Sequence, residues 1–99
     1  MRLGVKTHLR EVERPVKICN RLGLHARAAG KFRNLAAQYK CTIKLAKGTM
    51  EADAKSILGL MALEASKGSE LILRAWGEDS EQAVEALCDL ISNRFGEDE

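Results

Sequence analysis

The chain has little with which to cross a membrane, stack nucleobases or hold zinc. No apolar run approaches the roughly 20 residues that a spanning helix needs. Residues 1–15 show no apolar core of the signal-peptide kind, so a cytoplasmic protein is expected. Aromatics are few (Phe32, Tyr39, Trp76 and Phe95). None form a closely spaced pair on a predicted strand, which argues against nucleic acid as a partner. Cys19, Cys41 and Cys88 are widely spaced, form no CxxC, and are expected as buried, reduced thiols. The two histidines, His8 and His25, have no cysteine or carboxylate cluster beside them, so no metal site is expected. No serine or cysteine has an evident base partner, which leaves a hydrolase triad without support. No cofactor is implied.

What is present is the makeup of one small soluble domain. Ninety-nine residues with 45% apolar and 30% charged side chains suffice for one modest core. A chain this size buries roughly 60–70% of its unfolded surface, which argues against a deep substrate cavity. The net charge of +2 conceals an imbalance. Residues 1–47 carry 12 Lys/Arg against 2 Asp/Glu, whereas residues 48–99 carry 4 against 12. The first half suits an anionic ligand or an acidic partner; on charge alone, a dipolar surface of solvated faces explains the pattern equally well.

Periodicity predicts the order β-α-β-β-α-β-α. Residues 1–13 read as an extension that either stands apart or lengthens the first strand, 14–95 as the domain, and 96–99 as an acidic tail. Val16 and Ile18 alternate with Lys17 and Cys19, predicting a short strand. Ala28, Ala29, Phe32, Leu35, Ala36 and Tyr39 share one stripe of a helix over residues 26–39. Residues 41–45 and 50–52 read as strands around a turn at Lys47-Gly48, and residues 71–76 as a fourth strand. Residues 56–63 read as a short helix capped by Asp53 or Ser56. Asp79 and Gln82 resemble a capping box opening a last helix that runs to about Asn93, with Val84, Leu87, Cys88, Ile91 and Phe95 inward. Such a pattern makes an α+β open-faced sandwich, one sheet covered on one face by helices.

The first long helix opens as Gly23-Leu24-His25-Ala26-Arg27-Ala28, with no Ser, Thr, Asp or Asn at its start. The free amides of the first turn and the positive dipole end are therefore expected to receive an anion. A neutral imidazole is nucleophilic near pH 7. A phosphoryl group on His25 would meet those amides, and Arg27 would add a planar cationic donor. Residue types alone also fit a histidine that ends a turn and a solvated arginine.

Gly23-Leu24-His25-Ala26-Arg27-Ala28-Ala29 and Lys55-Ser56-Ile57-Leu58-Gly59-Leu60-Met61, with Ser56 31 residues beyond His25, together resemble the HPr family. These are histidine-containing phosphocarriers of the phosphoenolpyruvate-dependent sugar phosphotransferase system. The resemblance covers roughly residues 14–95. It implies four antiparallel strands and three helices. It implies that His25 accepts phosphate through Nδ1 from phosphorylated enzyme I and passes it to a IIA component, with Arg27 as the active-site arginine. The protein is then a phosphoryl carrier and not a stand-alone enzyme. Ser56 falls where many members carry a serine phosphorylated by HPr kinase/phosphorylase; the alternative is a plain helix cap. Alanine at position 28, where sugar-system members mostly have proline, and the acidic ending resemble the nitrogen-related NPr branch. A regulatory module read through the state of His25 or Ser56 is a further alternative.

Residues 57–63 hold more large apolar side chains than one buried stripe requires. Leu60 and Leu63 are expected in the core, with Ile57, Leu58 and Met61 forming an exposed patch beside a basic rim that includes Lys31. The other reading is a helix packed nearly all round.

Overall fold

The structure, a computed structural model, describes residues 11–99. Along the chain run β1 (Glu11–Lys17), α1 (Ala26–Ala36), β2 (Thr42–Lys47), β3 (Met50–Asp53), α2 (Ile57–Ala62), β4 (Glu70–Trp76) and α3 (Ser80–Ser92). A 3₁₀ turn, Arg94–Gly96, follows. The strands form one antiparallel sheet in the order β1-β4-β2-β3. Leu71, Leu73 and Ala75 alternate inward on β4, and their partners Leu45 and Ile43 on β2 are buried with them. Such alternation puts one face of the sheet under the helices and leaves the other to solvent. On the open face Arg74 lies between Glu13 at 2.8 Å, Glu51 at 3.4 Å and Glu11 at 3.7 Å.

The helices are held by burial more than by propensity. The third helix lies on β1 and β4, the second on β3, and α1 touches both other helices. Phe32, Leu60, Leu87, Ile91 and Phe95 are all buried in the common core. Each contributes roughly 1.5–3 kcal/mol by leaving water, more than a six-residue helix such as α2 draws from its own hydrogen bonds.

Four local expectations need correction. The first strand spans 11–17 and not 16–19. Pro15 reads as a boundary, but β1 is an edge strand paired with β4 alone, where a missing N–H is tolerated. Residues 11–13 of the expected extension are thus strand, and residues 1–10 lie outside the described residues. The first helix ends at Ala36, not Tyr39, because its last amides tighten onto nearer carbonyls: Gln38 N–H donates to Leu35 O and Tyr39 N–H to Ala36 O, each at 3.1 Å. The capping box at Asp79 does not form. The Asp79 carboxylate instead accepts from the Lys40 and Cys41 amides at 2.9 and 3.0 Å, fastening the loop after α1 to the start of α3. Those bonds, the one from Lys40 foremost, hold Asp79 below the usual carboxylate range. The fourth concerns the start of α1, where His25 itself occupies an amide expected to be free.

Candidate functional site

The loop between β1 and α1 is built around Asn20 and Gly23. Asn20 is buried, and its Nδ2 donates to Gly23 O at 2.8 Å. Gly23 has φ +71°, and a Cβ there would lie 2.6 Å from Ala65 O. Only glycine lets the backbone press so closely on the loop after α2. Leu24 N–H then donates to Ala65 O at 2.9 Å, and Leu24 enters the core. His25 is thereby set at the helix start, half-buried, with Arg27 exposed beside it.

The first turn of α1 is not left open. His25 is its N-cap, and Nδ1 accepts from Arg27 N–H at 3.2 Å. The expected free amide is therefore occupied by the histidine itself. This bond also settles the tautomer. An Nδ1 that accepts must carry the lone pair, so in the neutral ring the proton sits on Nε2. Nε2–H meets the Glu97 carboxylate in a short contact. The Glu97 carboxylate accepts also from Asn20 Nδ2 at 2.9 Å. The Asn20 hydrogen bond, with His25 and Lys31 acting in the same sense, keeps the Glu97 carboxyl below the ordinary range; partial burial opposes this.

An open hollow of about 480 Å³ surrounds the exposed side of the ring, lined by Arg21, Leu22, His25, Arg27 and residues 97–99. Among the described residues Arg27 has no ion-pair partner, so its guanidinium stands uncommitted at the rim. Arg21 pairs with Glu99 at 2.9 Å, but both are largely exposed and the pair contributes little. The arrangement can hold a covalently bound anion on Nδ1, in reach of a backbone amide and a cation.

The other predicted residues fall as follows. Ile57, Leu58 and Met61 are exposed, Leu58 by 81%, while Leu60 and Leu63 are buried. The Lys31 ammonium donates to Phe95 O at 2.8 Å and so anchors the C-terminal turn. Ser56 caps α2, its Oγ accepting from Gly59 N–H at 3.1 Å. Lys55 is occupied structurally, donating to Tyr39 O and Cys41 O. The sequence reading missed Asn20, Leu22 and Glu97. Leu22, 58% exposed, lines the edge of the hollow. In the sequence Asn20 stands in a turn-like stretch, 20–23, and Glu97 in the acidic tail; the available signal is acidic residues in a chain whose candidate site is basic.

Comparison with known proteins bears on the whole domain. Residues 12–93 match the family described as "PTS HPr component phosphorylation site". The chain is 44% identical over 88 residues to phosphocarrier protein HPr of Cupriavidus necator, covering 89% of this chain and 99% of that protein. It is 42% identical over 87 residues to phosphocarrier protein NPr of Shewanella violacea, covering 88% and 96%. Among solved structures, HPr-C-His from Thermoanaerobacter tengcongensis superposes with a TM-score of 0.86 at 41% identity, covering 89% of this chain and 99% of that one. Sheet order, helix placement and extent of similarity agree: the chain belongs to the HPr family of phosphocarrier proteins.

Proposed function

We propose that the protein carries a phosphoryl group on His25 Nδ1, taking it from phosphorylated enzyme I and passing it to a IIA component of the sugar phosphotransferase system in the cytoplasm. The observation that carries this reading is the N-cap: Nδ1 holds a lone pair at the mouth of α1, 3.2 Å from Arg27 N–H. In the transfer the Nδ1 lone pair forms a bond to phosphorus while the donor–phosphorus bond breaks and its electron pair returns to the donor. The phosphoryl oxygens then take over the Arg27 amide that Nδ1 gives up, and the Arg27 guanidinium balances their charge. Onward transfer reverses these steps. Placement and charge are what the carrier supplies, and its partners complete the pocket. Ile57, Leu58 and Met61, with Leu22 near the ring, form the apolar part of the docking surface, and Lys31 and Arg27 the basic part.

Incubation with phosphoenolpyruvate and enzyme I should yield an acid-labile, alkali-stable phosphoprotein. His25→Ala should carry no label; label on that variant would overturn the assignment. Similarity of the same order to HPr and to NPr makes the nitrogen-related carrier the second reading. Faster labelling by the nitrogen-type enzyme I than by the sugar-type one would select it. Ser56 is assigned as a site for HPr kinase/phosphorylase. A phosphate there adds roughly −1.5 to −2 charge next to the apolar patch and weakens docking of acidic partners without unfolding α2. Absence of label at Ser56 with ATP and the kinase would remove this part.

A further inference from the structure

The tail that follows α3 returns to the ring. Its reversal is built in: Arg94 and Phe95 both take positive φ, 56° and 54°, a conformation costing roughly 1 kcal/mol or more per non-glycine residue. Phe95 is fully buried and so holds the reversal, and Lys31 Nζ fastens its carbonyl. Glu97 N–H donates to Arg94 O at 2.9 Å, and Arg94 Nε to Glu97 O at 3.3 Å. The Glu97 carboxylate is then divided between Asn20 Nδ2 and His25 Nε2–H. Glu97 lies beyond residues 12–93, the span matched by the family.

We propose that Glu97 is a positioning residue for phosphoryl transfer, with Asn20 holding it in place. The inference rests on His25 being the carrier. Glu97 acts through the ring and not on the phosphoryl group. It keeps the proton on Nε2, so that Nδ1 is the nucleophile, and it fixes the ring plane toward the hollow. When Nδ1 bonds to phosphorus the ring retains Nε2–H and becomes cationic, and the adjacent carboxylate stabilises that charge as it develops. When the phosphoryl group leaves, the electron pair of the N–P bond returns to Nδ1 and the Nε2 proton stays where it was. A carboxylate behind an imidazole, opposite the reacting nitrogen, is a general device for setting tautomer and orientation.

The test uses the full chain with its histidines labelled with ¹⁵N, comparing wild type, Glu97→Ala and Glu97→Gln. In the unphosphorylated wild type the His25 Nε2–H should give a downfield proton resonance slow to exchange with water. Glu97→Ala should lose it. Glu97→Gln, which keeps an acceptor oxygen without the charge, should retain it shifted upfield. In transfer from phosphorylated enzyme I, Glu97→Ala should lower kcat by roughly tenfold, the worth of about one charge-assisted hydrogen bond, with KM unchanged, and Glu97→Gln should recover part of the loss. An identical Nε2 signal in wild type and Glu97→Ala, or an unchanged kcat, would overturn the positioning role. If wild type takes no phosphoryl group at all, the carrier reading fails, and the resonance still decides whether Glu97 holds the ring.

Discussion

Burial pushes the Cys41 thiol up to about 11, and the Asp79 carboxylate beside it acts in the same direction. Burial also raises Cys88, against a lowering influence from Arg14. Cys19 is exposed. Thiolate is the reacting form, so a group whose pKa is raised reacts more slowly at a given pH. Iodoacetamide at pH 8 should therefore modify Cys19 in the native protein and reach Cys41 and Cys88 only after denaturation. Peptide mapping reads the result, and early modification of Cys41 would contradict its burial. The wide cysteine spacing predicts buried, reduced thiols; all three are free, but Cys19, just past the end of β1, is exposed. The carboxylates were less legible. Asp79 and Glu97 each stand in a sequence pattern with a plain reading, a helix cap and a solvated tail. Each instead serves groups far along the chain: the amides of residues 40 and 41 for one, His25 and Asn20 for the other. Distance in sequence hides such partners, because a carboxylate satisfies any donor the fold brings to it.

At the scale of elements, the loop that carries His25 depends on one close approach. Gly23 at φ +71° touches the backbone after α2, and the Leu24–Ala65 hydrogen bond lies next to it. Gly23→Ala should destabilise the protein by roughly 2–3 kcal/mol, from the left-handed backbone and the clash with Ala65 O together. Urea denaturation measures the loss; a variant as stable as wild type would show that the two loops are not clamped. The starts of α1 and α2 are capped by side chains from within the two motifs: His25 for α1 and Ser56 for α2. Element type was legible throughout, because alternation in β2 and β4 and the stripes of α1 and α3 are strong, local signals. Boundaries were legible where the signal is local, as at Ser56, and not where pairing decides. Pro15 ends a strand by propensity yet sits inside β1, because that strand is on the sheet edge and its pairing with β4 runs from Glu11 to Lys17. The first turn of α1 reads as open in the sequence for a related reason: histidine is not counted among common caps, but an imidazole nitrogen accepts an amide as a carboxylate does.

For the whole molecule, the charge imbalance becomes a question of where the surplus cations stand. Arg21, Arg27 and Lys31 all come from the basic half and gather near the start of α1, while the acidic half contributes Glu97 and its neighbours to the same hollow. These cations are not equivalent. Lys31 is fastened to Phe95 O, and reversing its charge would disturb the C-terminal turn as well as the surface field. The guanidinium of Arg27 is exposed and unpaired among the described residues, so it is the cleaner probe. If docking to enzyme I is steered by this rim, Arg27→Glu should slow association about fivefold to tenfold at low ionic strength. Its dependence on salt should also be shallower, since screening then removes less attraction. Stopped-flow association with enzyme I across a salt series separates this effect from chemistry, because the encounter rate is read before phosphoryl transfer. An unchanged rate and salt slope would place docking elsewhere, and the exposed Ile57, Leu58 and Met61 would then have to bind without electrostatic guidance from this edge of the protein.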